Sequence, residues 1–228
     1  MSGAFSFGVT HRDGAARAGE LATPHGVVET PAFAPVGTRG AVKSLTHRDV
    51  VDLGAQMVLA NTYHLHLRPG EDLIGRAGGL HAFIGWDRPI LTDSGGYQVF
   101  SLGDRRRIDE EGVSFRSHLD GSLHRLTPES AADIQANLGS DIAMVFDECT
   151  SYPVDEAVAR ASMERTLRWA ERGRRRFQAI SEDPDLCEGV LTNPGQAQFG
   201  IIQGSVYPSL RAVSLRETVS IGFEGYAI

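Results

Sequence analysis

Several apolar runs in this chain end on side chains that can hold or move a proton. Ile90-Leu91-Thr92 runs into Asp93 and Ser94, followed by Gly95-Gly96-Tyr97-Gln98. Met57-Val58-Leu59-Ala60 runs into Asn61, Thr62 and His64, and Ile142-Ala143-Met144-Val145-Phe146 into Asp147, Glu148 and Cys149. Phe199-Gly200-Ile201-Ile202 ends on Gln203 and Gly204. Short apolar runs bounded by polar and glycine residues read as buried strands. In parallel α/β folds the ligand lies beyond the carboxyl ends of such strands. The paired glycines after Ser94 let the backbone approach a ligand closely and take positive φ. An aspartate before Ser-Gly is also a common turn cap, and Asp93 fits both roles.

Two carboxylates and a carboxamide at one mouth suit a planar heterocycle with an amide-like edge. A carboxylate accepts two adjacent N–H groups, and a carboxamide NH2 donates to a carbonyl oxygen. Guanine offers that pattern at N1–H, the 2-amino group and O6. Asp93 could instead transfer a proton or contact a ribose hydroxyl. Other residues admit rival chemistry. His64 and His66 are two apart, which on a strand puts both rings on one face, as in metal-dependent barrel hydrolases. No matching ligands stand out elsewhere, so a supporting hydrogen bond is the expected role of His64. Cys149 is read as packing or pocket lining rather than as a nucleophile, because small buried cysteines are usually inert. Arg105-Arg106-Arg107 follows the pocket strand and could touch phosphate. Arg172 to Arg176 reads as a solvated helix end.

The elements that must position these groups alternate. Residues 5–30 suggest a small antiparallel hairpin, and residues 30–38 a first buried strand bounded by prolines. Residues 45–53 form a predicted helix with Thr46 as N-cap and Gly54 past its end. Residues 56–64 are the second strand, and 69–82 are glycine-rich and partly helical. Residues 107–125 read as a hairpin turning at Asp120-Gly121. A helix then starts at Thr127-Pro128 and stops at Gly139. Residues 141–149 are the fourth strand. A long helix covers 154–177, with Val158, Ala161, Leu167, Ala170 and Phe177 as its apolar positions. Residues 181–196 read as a solvated surface loop. A fifth strand over 198–204, a helix over 211–221 and a sixth strand from Gly225 complete the chain.

This alternation is that of a parallel α/β fold. Polar residues recur at strand ends, which favours a (β/α)8 TIM barrel with insertions over a doubly wound sheet. Five to six strands cannot close an eight-stranded barrel, so residues 1–228 are expected to be a single domain and the N-terminal part of a longer protein. The 228 residues, 41% hydrophobic and 22% charged, suit one soluble core. No apolar run reaches the about 18 residues of a membrane span, and the N-terminus is no export signal. Cys149 and Cys187 are the only cysteines and form no CxxC pair. That argues against a disulfide framework and for a reducing, cytoplasmic setting. The net charge of -7 confines any attraction for nucleic acid to local patches or to other sequence.

Thr92-Asp93-Ser94-Gly95-Gly96-Tyr97-Gln98, Asn61-Thr62-Tyr63-His64-Leu65 and Arg68-Pro69-Gly70 resemble the bacterial tRNA-guanine transglycosylases. So do Phe146-Asp147-Glu148-Cys149 with Pro153, Gly200-Ile201-Ile202-Gln203-Gly204 and the terminal Gly-Tyr-Ala-Ile. The resemblance runs in order over nearly the whole chain. It implies a TIM barrel that exchanges guanine at the wobble position of tRNAs with GUN anticodons for the 7-deazaguanine preQ1, through a covalent enzyme–RNA intermediate. It implies Asp93 as general acid/base, and Ser94, Gly95, Gly96 and Tyr97 as pocket lining, with Tyr97 stacking on the base. Asp147 would bind the N1–H and 2-amino edge and Gln203 the O6 side, with Cys149 and Gly204 beside them. The family's nucleophilic aspartate and its structural zinc, held by three cysteines and a histidine, are expected beyond Ile228. No metal ligand is therefore expected within residues 1–228, and this chain alone is expected to be inactive. The resemblance also implies a homodimer for the full-length protein. The rival readings are the metal-dependent hydrolase built on His64 and His66, and a non-catalytic paralogue that only binds RNA or a partner chain.

Overall fold

The computed structural model describes residues 5–102 and 106–228, so Arg105 and the first four residues lie outside the described part. The chain divides into two compact units. One holds Met1–Asp93, Gln135–Ala143 and Gly189–Ala197; the other holds Ser94–Ile134, Met144–Glu188 and Gln198–Ile228.

In the first unit, residues 5–30 form three antiparallel strands rather than a two-stranded hairpin. These are β1 (Ser6–Asp13), β2 (Ala16–Thr23) and β3 (Gly26–Thr30), paired in that order. The buried strand expected over 30–38 does not form. Val36 makes one isolated parallel bridge to Leu59, and Phe33 is 81% exposed. Pro31 and Pro35 withhold the N–H groups that a ladder needs. Helix α1 (His47–Asp52) starts as expected at Thr46, whose hydroxyl accepts the Asp49 N–H while the Asp49 carboxylate accepts the Thr46 N–H. That capping box satisfies two otherwise unpaired donors.

Strand β4 (Val58–Ala60) ends sooner than expected, and Thr62–Leu67 is helix α2. Alternating Tyr63 and Leu65 mimic a strand, but both are buried on this helix. The correction removes the premise for a two-histidine metal site. Residues two apart on a helix do not face each other, and His66 Nδ1 instead pairs with Glu71 at 2.8 Å. Helices α3 (Glu71–Arg76) and α4 (Gly79–Ile84) then lead to β5 (Ile90–Thr92), which runs parallel to β4.

The second unit opens with helix α5 (Gly96–Phe100) and an antiparallel sheet of β6 (Arg106–Ile108), β7 (Val113–Arg116) and β8 (Leu123–Leu126). Helix α6 (Pro128–Leu138) is capped where expected, the Ser130 N–H donating to Thr127 Oγ1 at 3.1 Å. Then follow β9 (Ile142–Met144), α7 (Glu156–Glu182), β10 (Ala197–Ile201), α8 (Pro208–Ile221) and β11 (Gly225–Ala227). The chain of α6, β9 and β10 passes through both units. In the first, β5 pairs in parallel with the start of β9; in the second, β10 pairs in parallel with β11. The fold class is mixed α/β, with parallel pairing and two small antiparallel sheets. Among the described strands β4 and β11 each pair with one named strand, so no sheet closes on itself.

Three expectations for the second half need correction. Helix α7 buries Ala159, Ser162, Met163, Thr166, Trp169 and Ala170, while Val158 is 54% exposed. Of the expected apolar positions Ala170 is buried, but Val158 and Ala161 are exposed, and the stripe runs instead through Ala159, Met163 and Trp169 with two hydroxyls among them. The arginines from 172 to 176 lie inside α7 rather than at its end, and only Arg175 among them is solvated. Arg172 pairs with Glu129 at 2.7 Å, Arg174 with Glu224 at 2.6 Å and Arg176 with Asp133 at 2.9 Å. Residues 181–196 are exposed over most of 181–190, as expected, but the segment is also tied inward. The Val190 N–H donates to Asn137 Oδ1, and Thr192 Oγ1 to the Ala136 carbonyl. Asn193 and Gln196 donate their amides to the Ser140 carbonyl. Polar composition here serves both contact with water over 181–190 and internal pairing at the inner end.

Candidate functional site

Asp147 lies just past β9 and is 5% exposed. Its Oδ1 accepts Ser94 Oγ at 2.8 Å, and its Oδ2 accepts Gln203 Nε2 at 2.7 Å. Cys149 Sγ donates to the same Oδ2 at 3.5 Å. Leaving water costs a carboxylate dearly unless donors replace the lost hydration, and these three do so. Gly95 takes φ +81 at the head of α5, and a Cβ on Gly96 would stand 2.6 Å from the Asp147 carbonyl oxygen and 2.8 Å from its Oδ1. Only glycine allows the chain to close this tightly around the carboxylate. Tyr97 presents an open ring, 67% exposed. Gly204 turns the chain after Gln203 at φ +119, and its carbonyl accepts the Tyr207 N–H at 3.2 Å.

Burial pushes the Cys149 thiol well above the usual range, and the neighbouring Asp147 charge adds to the effect. A thiol so held stays protonated at neutral pH and is a poor nucleophile. Arg106 lies 4.4 Å over the Phe100 ring, and burial lowers its pKa.

Two helices hold this arrangement from behind. On α7, Ser162 Oγ donates to the Glu148 carbonyl, Thr166 Oγ1 accepts the Glu148 N–H, and Arg165 pairs with the Glu148 carboxylate at 2.6 Å. Spacings of three and four put these three side chains on one helix face. On α8, the buried Ser214 Oγ accepts the Gln203 N–H at 3.0 Å. Sequence reasoning missed Ser162, Thr166 and Ser214. Their signal was available as small hydroxyls interrupting the stripe that faces the sheet.

Asp93 belongs to the first unit. Its Oδ2 accepts the Asn61 amide and its Oδ1 the Thr62 N–H at 2.9 Å, while Thr62 Oγ1 donates to its backbone oxygen at 2.6 Å. Of the predicted site residues, Ser94, Gly95, Gly96, Tyr97, Asp147, Cys149, Gln203 and Gly204 belong to the second unit. There Ser94, Gly96, Cys149 and Gln203 all close on Asp147.

The first unit also holds a cluster of His25, His81 and Asp141 with the composition of a metal site. The two rings stack at 3.5 Å with only 14° between their planes. The in-plane lone pairs of parallel rings do not converge on one ion. The Asp141 oxygens already accept the His25 and Ile90 backbone N–H groups as well as both rings. The cluster reads as a tie between segments.

A glycine-hinged turn, a shielded carboxylate and a carboxamide thus meet at the ends of strands in an α/β protein. A family model described as queuine tRNA-ribosyltransferase matches residues 13–228. The queuine tRNA-ribosyltransferase of Koribacter versatilis is 54% identical over 229 residues, covering 100% of this chain and 59% of that protein. Those of Desulforamulus reducens and Moorella thermoacetica are 55% and 54% identical, over 93% and 99% of this chain and 54% and 57% of their own lengths. The chain belongs to the queuine tRNA-ribosyltransferase family, and spans somewhat over half the length of these relatives.

Proposed function

We propose that the protein to which this chain belongs exchanges guanine at the wobble position of GUN-anticodon tRNAs for the 7-deazaguanine preQ1. The observation that carries the reading is the carboxylate of Asp147, shielded from water yet flanked by the Gln203 carboxamide and the Ser94 hydroxyl. Asp147 accepts the N1–H and 2-amino group of the base, and Gln203 donates to O6. Gly95 and Gly96 bring the backbone close, and Tyr97 stacks on the ring. Cys149 and Gly204 shape the wall. Asp93 moves the proton that the departing base takes up and the incoming base gives back. The target base leaves its stack to be read in this way.

Base exchange with retained sugar configuration calls for two displacements and a carboxylate nucleophile at the anomeric carbon. We assign that nucleophile, and the two or three strands that complete a TIM barrel, to sequence other than these 228 residues. The structural zinc belongs there too. Cys149 and Cys187, the only cysteines here, cannot supply a site of three cysteines and a histidine. No step assigned to this chain passes through zinc. A cytoplasmic homodimer completes the reading; no helix among the described residues is long and apolar enough to cross a membrane.

The test is incorporation of radiolabelled guanine into cognate tRNA by the full-length protein. Asp93→Ala and Asp147→Ala should each abolish it, and normal exchange by either variant would overturn the assigned role.

A further inference from the structure

The sheet β6-β7-β8 has two unlike faces. Its register pairs Arg107 with Ser114 and Ser114 with Arg125, and two pairs further along it sets Arg116 opposite Leu123. Alternate residues of a strand point to opposite faces. Arg107, Arg116, Leu123 and Arg125 thus share one face, and all four are exposed. Val113, Phe115 and Leu126 occupy the other and are buried. On that inner face, Ile108 and Val113 line a small cavity together with Phe146, Asp147 and Cys149. The arginine face is therefore the outer side of the sheet that backs the Asp147 turn.

The nearby acids are engaged elsewhere. Glu110 pairs with Arg168 at 2.6 Å and Glu111 with Arg172 at 3.4 Å, both on α7. Asp120 accepts the hydroxyl and N–H of Ser122 within its own turn. Among the described residues Asp109 alone is ion-paired on the arginine face, with Arg125 at 3.0 Å. No acid among the described residues is ion-paired with Arg107 or Arg116. Arg107 and Arg125 stand two strand spacings apart, about 10 Å, with Arg116 about 7 Å along the middle strand from the row that joins them. This is a triangle of guanidinium groups on a protein of net charge -7. The sheet is fixed in place because Trp169 Nε1 and Arg172 both donate to the Glu110 carbonyl in the β6–β7 turn.

We propose that this outer face of β6-β7-β8 binds the phosphate backbone of the RNA whose base is read at Asp147. The proposal rests on the function given above and names the surface that carries the flanking nucleotides. Arginine forks suit phosphate, and such contacts fix position without reading sequence. Clustered cations release condensed counterions from RNA, so the contacts carry a salt signature.

The experiment uses the full-length protein and an anticodon stem-loop RNA. In R107Q/R116Q/R125Q, KM for RNA should rise at least tenfold, with kcat at saturating RNA within twofold of the parent and guanine affinity unchanged. The slope of log K against log[salt] should lessen by about 2, or about 0.7 for each lost phosphate contact to a single strand. Loss of a single charge at an exposed position on α8, Arg216→Gln, should change neither quantity. An unaltered RNA affinity and salt slope in the triple variant would overturn the proposal. So would intact RNA binding with a changed oligomeric state, which would assign the face to protein contact. Circular dichroism identical to that of the parent excludes unfolding of the variant. Absence of exchange by the parent with any tRNA would instead count against the function itself, and RNA affinity still separates the two failures.

Discussion

Gln203 Nε2 stands 2.7 Å from Asp147 Oδ2, an oxygen that also lies 3.5 Å from Cys149 Sγ. The carboxamide is thus fixed against the carboxylate: one Nε2 hydrogen points at Asp147, and the second is the one proposed to donate to O6 of a bound base. Asp147→Asn turns this contact into amide against amide and removes the charge. In the full-length protein, guanine affinity should fall about 10- to 150-fold, the 1.5–3 kcal/mol of a hydrogen bond to a charged group. Gln203→Ala should cost less, about tenfold. Isothermal titration with guanine measures both, and an Asp147→Asn protein that binds as the parent does would remove the carboxylate from base recognition.

Burial and the Asp147 charge raise the Cys149 thiol, and burial with the Asp133 charge raises Cys187 to about 11. Only the thiolate alkylates. Both cysteines should therefore react with iodoacetamide at pH 8 at least tenfold more slowly than free cysteine, followed by intact-mass spectrometry. Removing the neighbouring charge with Asp147→Asn should speed Cys149 and leave Cys187 unchanged. A Cys149 that reacts at the free-thiol rate would reopen its reading as a nucleophile.

Arg174 holds Glu224 through two hydrogen bonds, at 2.9 and 2.6 Å, and Glu224 also accepts the Gln198 N–H at the head of β10. The arginine side chain is 10% exposed and the glutamate 35%. Removing one partner of a fully buried pair costs about 3–5 kcal/mol, and the exposure of Glu224 lowers the expectation for Arg174→Ala to about 2–3 kcal/mol. Urea unfolding of the chain measures this. Arg174→Met with Glu224→Gln should be less damaging than Arg174→Ala alone, because no unpaired charge is left behind. Equal losses in the two proteins would mean that packing, not charge, dominates there.

The parts of the fold legible in the sequence were those fixed by neighbours a few residues away. Thr46 and Thr127 were readable as caps because a capping hydroxyl bonds within its own first turn. The Asp120-Gly121 turn was readable for the same reason. Helix α2 was not, because Tyr63 and Leu65 fit a strand period as well as a buried helix face. The buried side of α7 was only partly read: Ala170 lies on it as expected, but so do Ser162 and Thr166, which face inward to bond Glu148, a partner more than a dozen residues away. Residues 181–196 were readable as solvated, but their ties to Asn137, Ser140 and Asp133 were not. At the site the polar strand ends could be read directly, while their supports on α7 and α8 depended on tertiary contacts that no local pattern records.

Asp141 shows how such a contact should respond to pH. Its carboxylate, wholly buried, accepts His25 Nδ1 at 2.9 Å and His81 Nε2 at 3.0 Å, together with the backbone N–H groups of His25 and Ile90. Burial alone would raise its pKa, but the bonds from His81, Ile90 and His25 outweigh that and hold it below 3.8. The folded protein therefore binds this proton more weakly than the unfolded chain does. The stabilisation is fully present above the unfolded value near 3.8 and is lost as pH falls from there through the lower folded value. Asp141→Asn presents an amide N–H2 to donors on one side and leaves them unpaired, at a cost of about 3 kcal/mol at pH 7. Urea midpoints at pH 7, 4.5 and 3 should then decline less steeply for Asp141→Asn than for the parent across the lowest interval. Parallel declines would show that the acid sensitivity of the fold lies in other carboxylates.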